Sequence, residues 1–173
     1  SSHSSLRSKM SFNAATDVLK SIKKDFKLSV TTDVHETSQI SKLIEYIDVI
    51  QIPAFLSRQT DLIIAAADTH KIVNVKKGQF LSHSEVLNII KKIESRNNKK
   101  ILITERGNSF GYNYLVNDFK GIELMKQFGY PIIFDSTHSV QIPGGLGVKS
   151  GGAREYVLPL SKAASALRIA GFF

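Results

Sequence analysis

About six short apolar segments, rich in β-branched residues, recur along the chain at intervals of ~20–35 residues, the length of one strand plus one helix. They are Leu28–Val34, Val49–Phe55, Ile72–Lys76, Ile101–Arg106, Pro131–His138 and Leu167–Phe173. Between them, apolar residues fall at helical spacing. Ser11 can cap a helix running to about Asp25, with Phe12, Ala15, Val18, Leu19 and Ile22 on one face. Thr37 opens a second, carrying Ile40, Leu43, Ile44 and Ile47. Further helices are predicted from near Gln59, from Ser82 to Glu94 with Val86, Ile89, Ile90 and Ile93 inward, from about Val116 to Phe128, and from roughly Gly152 to Ala166. Strict alternation of strand and helix implies a parallel sheet covered by helices.

Two architectures satisfy that pattern: an open doubly wound sheet and an eight-stranded (β/α) barrel. The strand ends favour the barrel. Several segments begin apolar and finish on a reactive side chain: Asp33 and His35, Gln51, Lys76, Arg106 and His138. Barrel enzymes gather catalytic groups from many strand ends around one mouth, whereas an open sheet concentrates them at one switch point. The predicted fold is therefore α/β, a (β/α)8 TIM barrel.

The chain has 173 residues, enough for one domain with a proper core. Hydrophobic residues make up 42%, which argues against disorder. The net charge of +8 is compatible with nucleic acid, an anionic surface or anionic substrates. The lysine pairs Lys23-Lys24, Lys91-Lys92 and Lys99-Lys100 read as solvated helix faces and ends. No run interleaves basic residues with aromatics as single-strand binders do, so no nucleic-acid partner is expected. The sequence has no Cys, which excludes disulfides and Cys-based zinc sites within it and fits a reducing compartment. No apolar run is long enough to cross a membrane and the start is not a signal peptide, so a cytoplasmic protein without a membrane partner is expected. The sequence opens on Ser1-Ser2-His3-Ser4-Ser5, without Met, and closes on the strand-like Ile169–Phe173. The expectation is a single barrel domain over residues 1–173, incomplete at both ends, with the first two strands and the final helix lying outside it in a longer gene product.

Side chains on a strand alternate between faces. Asp33 and His35 thus share a face, as do Gln51, Pro53 and Phe55, Asn74 and Lys76, and Ser136 and His138. If those faces point into the mouth, Lys76, Arg106 and His138 converge there, and two cations suit a small, multiply anionic substrate. Each residue alone has a plainer reading. Lys76 could face solvent, Arg106 could pair with Glu105 or Asp135, His138 could be a hydrogen-bonded core histidine, and Arg58 could be structural. His3, His70 and His83 read as surface groups. The glycine-rich stretch from Gly144 to Gly152 lacks the Gly directly before Lys149-Ser150 that a phosphate loop needs, and it fails the dinucleotide fingerprint by spacing. It is expected to be a mobile loop over the mouth.

Taken in order, Thr32-Asp33-Val34-His35-Glu36, Gln51-Ile52-Pro53-Ala54-Phe55-Leu56, Arg58-Gln59-Thr60-Asp61, Asn74-Val75-Lys76-Lys77, Glu105-Arg106-Gly107, Phe110-Gly111-Tyr112, Phe134-Asp135-Ser136-Thr137-His138-Ser139-Val140-Gln141 and Ser150-Gly151-Gly152 form a set. The set closely resembles the 3-deoxy-D-manno-octulosonate 8-phosphate synthases over essentially the whole sequence. Any one motif is weak, and the ordered set is specific. The resemblance implies a homotetrameric (β/α) barrel that joins phosphoenolpyruvate to arabinose 5-phosphate and releases phosphate, in lipopolysaccharide synthesis. It implies that Lys76 and Arg106 hold the phosphate of phosphoenolpyruvate, with Gln51 and the Ala54-Phe55 backbone nearby, and that Asp33 lies near the aldose end. Arg58 is implied to reach the arabinose phosphate of a neighbouring subunit, where Ser1 matches a serine of the family's binding motif. His138 is implied at the reaction centre, with Gln141 close by, and as a metal ligand in the family's metal-dependent branch, where the ion is zinc, iron or manganese. The stretch Gln141-Ile142-Pro143-Gly144-Gly145 looks more like that branch. The family's opening strands and its final Glu and Asp metal ligands have no counterpart in this sequence. The nearest alternative is a 3-deoxy-D-arabino-heptulosonate 7-phosphate synthase, which uses erythrose 4-phosphate. A non-catalytic basic binding module is a second alternative.

Overall fold

The computed structural model describes residues 12–111, 113–142 and 151–173. Ser1, His3, most of the glycine-rich stretch and Tyr112 lie outside the described residues. The chain runs α1 (Phe12–Phe26), β1 (Thr31–Asp33), α2 (Thr37–Leu43), β2 (Val49–Ile52), α3 (Thr60–Asp68), β3 (Ile72–Lys76), α4 (Val86–Glu94) and β4 (Ile101–Glu105). It continues through β5 (Asn108–Ser109), β6 (Leu115–Val116), α5 (Phe119–Lys126), β7 (Ile132–Phe134), β8 (Gln141–Ile142), β9 (Gly151–Gly152), α6 (Val157–Ser165) and β10 (Gly171–Phe172).

The expected alternation is present. Strands β1-β2-β3-β4-β7-β10 form one curled parallel sheet in that order, and every pairing within it is parallel. Among the described residues the sheet is half a barrel, with β1 and β10 as its two edges. Register fixes what each face carries. Ile50, Val73 and Ile101 lie side by side, as do Ile103 and Ile132, and Ile52 pairs with Val75. All are buried, and with Phe134 they join one core with Ile63 and Ala66 of α3, Ile89, Ile90 and Ile93 of α4, and Ile122 and Met125 of α5. This is the apolar layer that a β-branched strand and a helical stripe dictate together. The opposite face starts apolar with Val49, Leu102 and Ile133, which are only partly buried, and turns polar toward the strand ends.

Several boundaries differ from the sequence expectation. β2 stops at Ile52, because Pro53 has no N–H for a ladder and Ala54–Leu56 turn into a 3₁₀ helix. Phe55 is therefore not on the strand face of Gln51. β7 stops at Phe134: the Asp135 carboxylate captures the backbone N–H of His138 at 2.9 Å, folding residues 138–140 into a 3₁₀ turn. Ser136 and His138 consequently do not share a strand face. The helix expected from Val116 begins at Phe119, capped by Asp118, whose side chain accepts from the Lys120 N–H. The residues before it form a small antiparallel hairpin, β5–β6. The helix expected from Ser82 starts at Val86, after a turn.

Candidate active site

The polar face is built where the central strands end. Asp33 pairs in register with Gln51, Gln51 with Asn74, and Lys76 with Thr104. Glu105 pairs with Phe134, so alternation puts Arg106 and Asp135 together on the other face, that of Thr104 and Lys76. Side-chain bonds link the row. The Gln51 amide donates to Asp33, Asn74 Nδ2 donates to Gln51 Oε1 at 3.0 Å, and Thr104 Oγ1 donates to Asn74 Oδ1 at 2.8 Å. Each polar group is thereby satisfied and oriented in a largely buried setting.

The charged end is compact. Lys76 Nζ lies 3.0 Å from Asp135 Oδ2 and 3.7 Å from the centroid of the Phe173 ring. His138 Nδ1 lies 2.7 Å from the same Asp135 oxygen. Arg106 donates through Nη2 to Gln141 Oε1 at 3.0 Å, so Gln141 does join the cluster. Lys76, Arg106 and Asp135 are all buried. Burial alone would raise the Asp135 carboxyl; hydrogen bonds from His138 and the charge of Lys76 overcome it and hold the group well below the usual carboxylate range. Burial lowers the Arg106 guanidinium, opposed by Asp135 and Glu105. The alternative pairings considered for Arg106 are resolved differently: Asp135 pairs with Lys76 and His138, and Glu105 points to the helix side.

Two sequence-predicted residues stand apart. Phe55 is 73% exposed, and Arg58 is exposed, its carbonyl accepting from Lys92 Nζ. Ala54 is buried in its 3₁₀ turn, and Asp33 sits at the β1 edge of the row. A separate cleft of 730 Å³, between the loop after β3 and the β5–β6 hairpin, contains none of the cations of the row.

The structure also reveals a polar cluster on the helix side that sequence reasoning missed. Lys77 is fully buried, its Nζ donating to Asn108 Oδ1 at 2.6 Å and lying 3.5 Å from Glu105. Burial lowers its ammonium, against the pull of Glu105. Glu105 accepts the Gly107 N–H, in a turn where Gly107 has φ +94°, and faces His83 Nε2 at 3.2 Å. His83, expected at the surface, is buried. The signal for Lys77 was present: two adjacent lysines at a strand end must point to opposite faces, so only one can reach the mouth.

Fold and site define a parallel α/β scaffold whose strand ends hold two buried cations on one face, Lys76 against the Asp135 carboxylate and Arg106 against Gln141. Residues 11–173 match the DAHP synthetase I family. The chain belongs to that family. It is 50% identical over 156 residues, 90% of this chain and 57% of the relative, to 2-dehydro-3-deoxyphosphooctonate aldolase from Trichlorobacter lovleyi. It is 53% identical to the protein of the same name from Rickettsia bellii, with 91% of this chain and 57% of that one aligned. For the Rhodopseudomonas palustris protein of that name the figures are 52%, 95% and 58%. The chain thus spans under three-fifths of the length of these curated relatives.

Proposed function

We propose that this chain forms most of the active site of an enzyme that condenses phosphoenolpyruvate with arabinose 5-phosphate and water, giving 3-deoxy-D-manno-octulosonate 8-phosphate and phosphate. The observation that carries the reading is that Lys76 and Arg106 share one face of the sheet, within a family whose relatives carry the aldolase name. The guanidinium can grip a phosphate through two N–H groups while the ammonium supplies a point charge. Such fixed charges stabilise the phosphate and the developing alkoxide without reorganising in the reaction. Gln51, oriented by Asn74, lies along the same face, and Asp33 stands beyond it toward the aldose end. Water must attack the carbon that bears the phosphate; His138 and Gln141 are the polar groups beside the cations at that point.

The reading includes a full (β/α)8 barrel. The partly buried apolar Val49, Leu102 and Ile133 on the inner face support it, since further strands would cover them. It also includes a cytoplasmic homotetramer in which exposed Arg58 reaches a neighbouring site and Ser1 lies at the aldose phosphate, with the Ala54-Phe55 backbone near the phosphate of phosphoenolpyruvate. No helix among the described residues is long and apolar enough to cross a membrane. A divalent zinc, iron or manganese ion would take His138 as one ligand. Metal sites need about three or more protein ligands, and no such group gathers among the described residues. These residues alone do not fit a resident metal, so no step is routed through one; metal analysis of the purified full-length protein checks this part.

Phosphate release by the full-length protein, measured with each aldose phosphate, tests the central claim. Turnover with arabinose 5-phosphate is expected, and turnover only with erythrose 4-phosphate would transfer the assignment to the heptulosonate enzyme. Arg106→Ala is expected to lower kcat/KM for phosphoenolpyruvate by about a hundredfold or more, as loss of a charged transition-state contact does; near-normal turnover would refute its role. Arg58→Ala is expected to raise KM for the aldose phosphate with little change for phosphoenolpyruvate, and equal effects on both would refute that assignment.

A further inference from the structure

The Asp135 carboxylate is fully buried, and its four contacts among the described residues run to groups around the charged site. Oδ2 meets Lys76 Nζ at 3.0 Å and His138 Nδ1 at 2.7 Å. Oδ1 accepts the His138 backbone N–H at 2.9 Å and the Thr137 hydroxyl at 3.2 Å. Both oxygens are therefore committed, and the imidazole is held by its backbone and its ring at once. An ionised carboxylate only accepts, so the ring nitrogen facing it must carry a proton. Which nitrogen of a histidine is protonated is set by the partner of the other.

We propose that Asp135 is a positioning residue: it holds Nδ1 of His138 as a donor, so that in the neutral ring Nε2 is the acceptor, and anchors the Lys76 ammonium beside it. A single anion thus couples β3 to the turn after β7. It neutralises one of the two cations of the site, so the pair Lys76 and Arg106 retains one net positive charge for an incoming anion. The kinetic part of this inference rests on the proposed condensation; the tautomer does not.

The test uses the full-length protein with Asp135→Asn and Asp135→Glu. Nitrogen-15 spectra of the histidine rings, with His138→Gln for assignment, are expected to give His138 the Nδ1–H signature in the unsubstituted protein. Asp135→Asn is expected to abolish that signature and to lower kcat by about a hundredfold, the scale of a small misplacement of reacting groups, with Asp135→Glu restoring part of both. Loss of activity with unchanged His138 ring shifts would overturn the inference, because general destabilisation gives that pattern. So would unchanged activity in Asp135→Asn, or an Nε2–H signature in the unsubstituted protein, which decides the matter even if the variants fail to fold. If the unsubstituted protein condenses no aldose, the proposed function fails while the spectra still decide the role of Asp135.

Discussion

Lys77 and Asp135 are buried charges on opposite faces of the sheet, and their pH signatures are opposite in cause. Lys77 is held below its ordinary value of 10.5 because desolvation exceeds the attraction of Glu105. Between its folded value and 10.5 the unfolded chain binds more protons than the folded one, so this group makes the fold more stable as pH rises toward 10.5. Lys77→Met should remove that rise and, by stripping a partner from buried Glu105, cost about 3–5 kcal/mol in urea unfolding at neutral pH. Adding Glu105→Gln should cost less than the sum of the single changes, by about 1 kcal/mol or more, because the two groups touch. Asp135 is depressed below 3.8, so its contribution is full above that value and is lost as pH falls below it toward the folded value. The stability gap between the unsubstituted protein and Asp135→Asn should narrow on acidification through that window, which denaturant unfolding across a pH series would record.

At the level of elements, α5 packs closely against the turn before α4. The His83 ring lies against Gly121 where any Cβ would clash with it. Gly121→Ala is expected to destabilise by about 1–3 kcal/mol through this overpacking, measured by thermal or urea unfolding, whereas Gly129→Ala meets no neighbouring atom and is opposed only by its φ of +83°. This contact explains why His83 could not be located from sequence: its burial depends on a glycine many residues away. The central strands were legible because Ile72–Lys76 and Ile101–Glu105 carry β-branched residues on a period of two with no competing bond. Pro131–His138 was less so. Asp135 can either continue a strand or bind the backbone three residues on, and only the fold decides that it does the latter. The β5–β6 hairpin was missed because its strands are two residues each, too short for any period to register. Asp118 is the N-cap of α5, and the expected start at Val116 ran past it.

For the molecule as a whole, the parallel α/β class was readable from alternation, and strand endings put Lys76 and Arg106 on one face, whereas His138 is carried by the turn after β7 and not by the strand face expected for it. The neighbour of each cation was not, since Asp135, Gln141 and Phe173 reach the site through turns and pairings that no local pattern encodes. The two edges, β1 and β10, offer unpaired backbone groups among the described residues, with Phe172 and Phe173 exposed at one of them. A polypeptide limited to these 173 residues is therefore expected to self-associate, as open edges do; light scattering that found it monomeric across a concentration series would count against that. The order of the sheet bears on how such a chain is born. Each new strand is laid beside the one made before it, and only the small hairpins interrupt the series. A nascent chain leaving the ribosome can thus dock β2, β3, β4, β7 and β10 each on its predecessor as it emerges, while the outer edge of β1, the earliest of these strands, stays open.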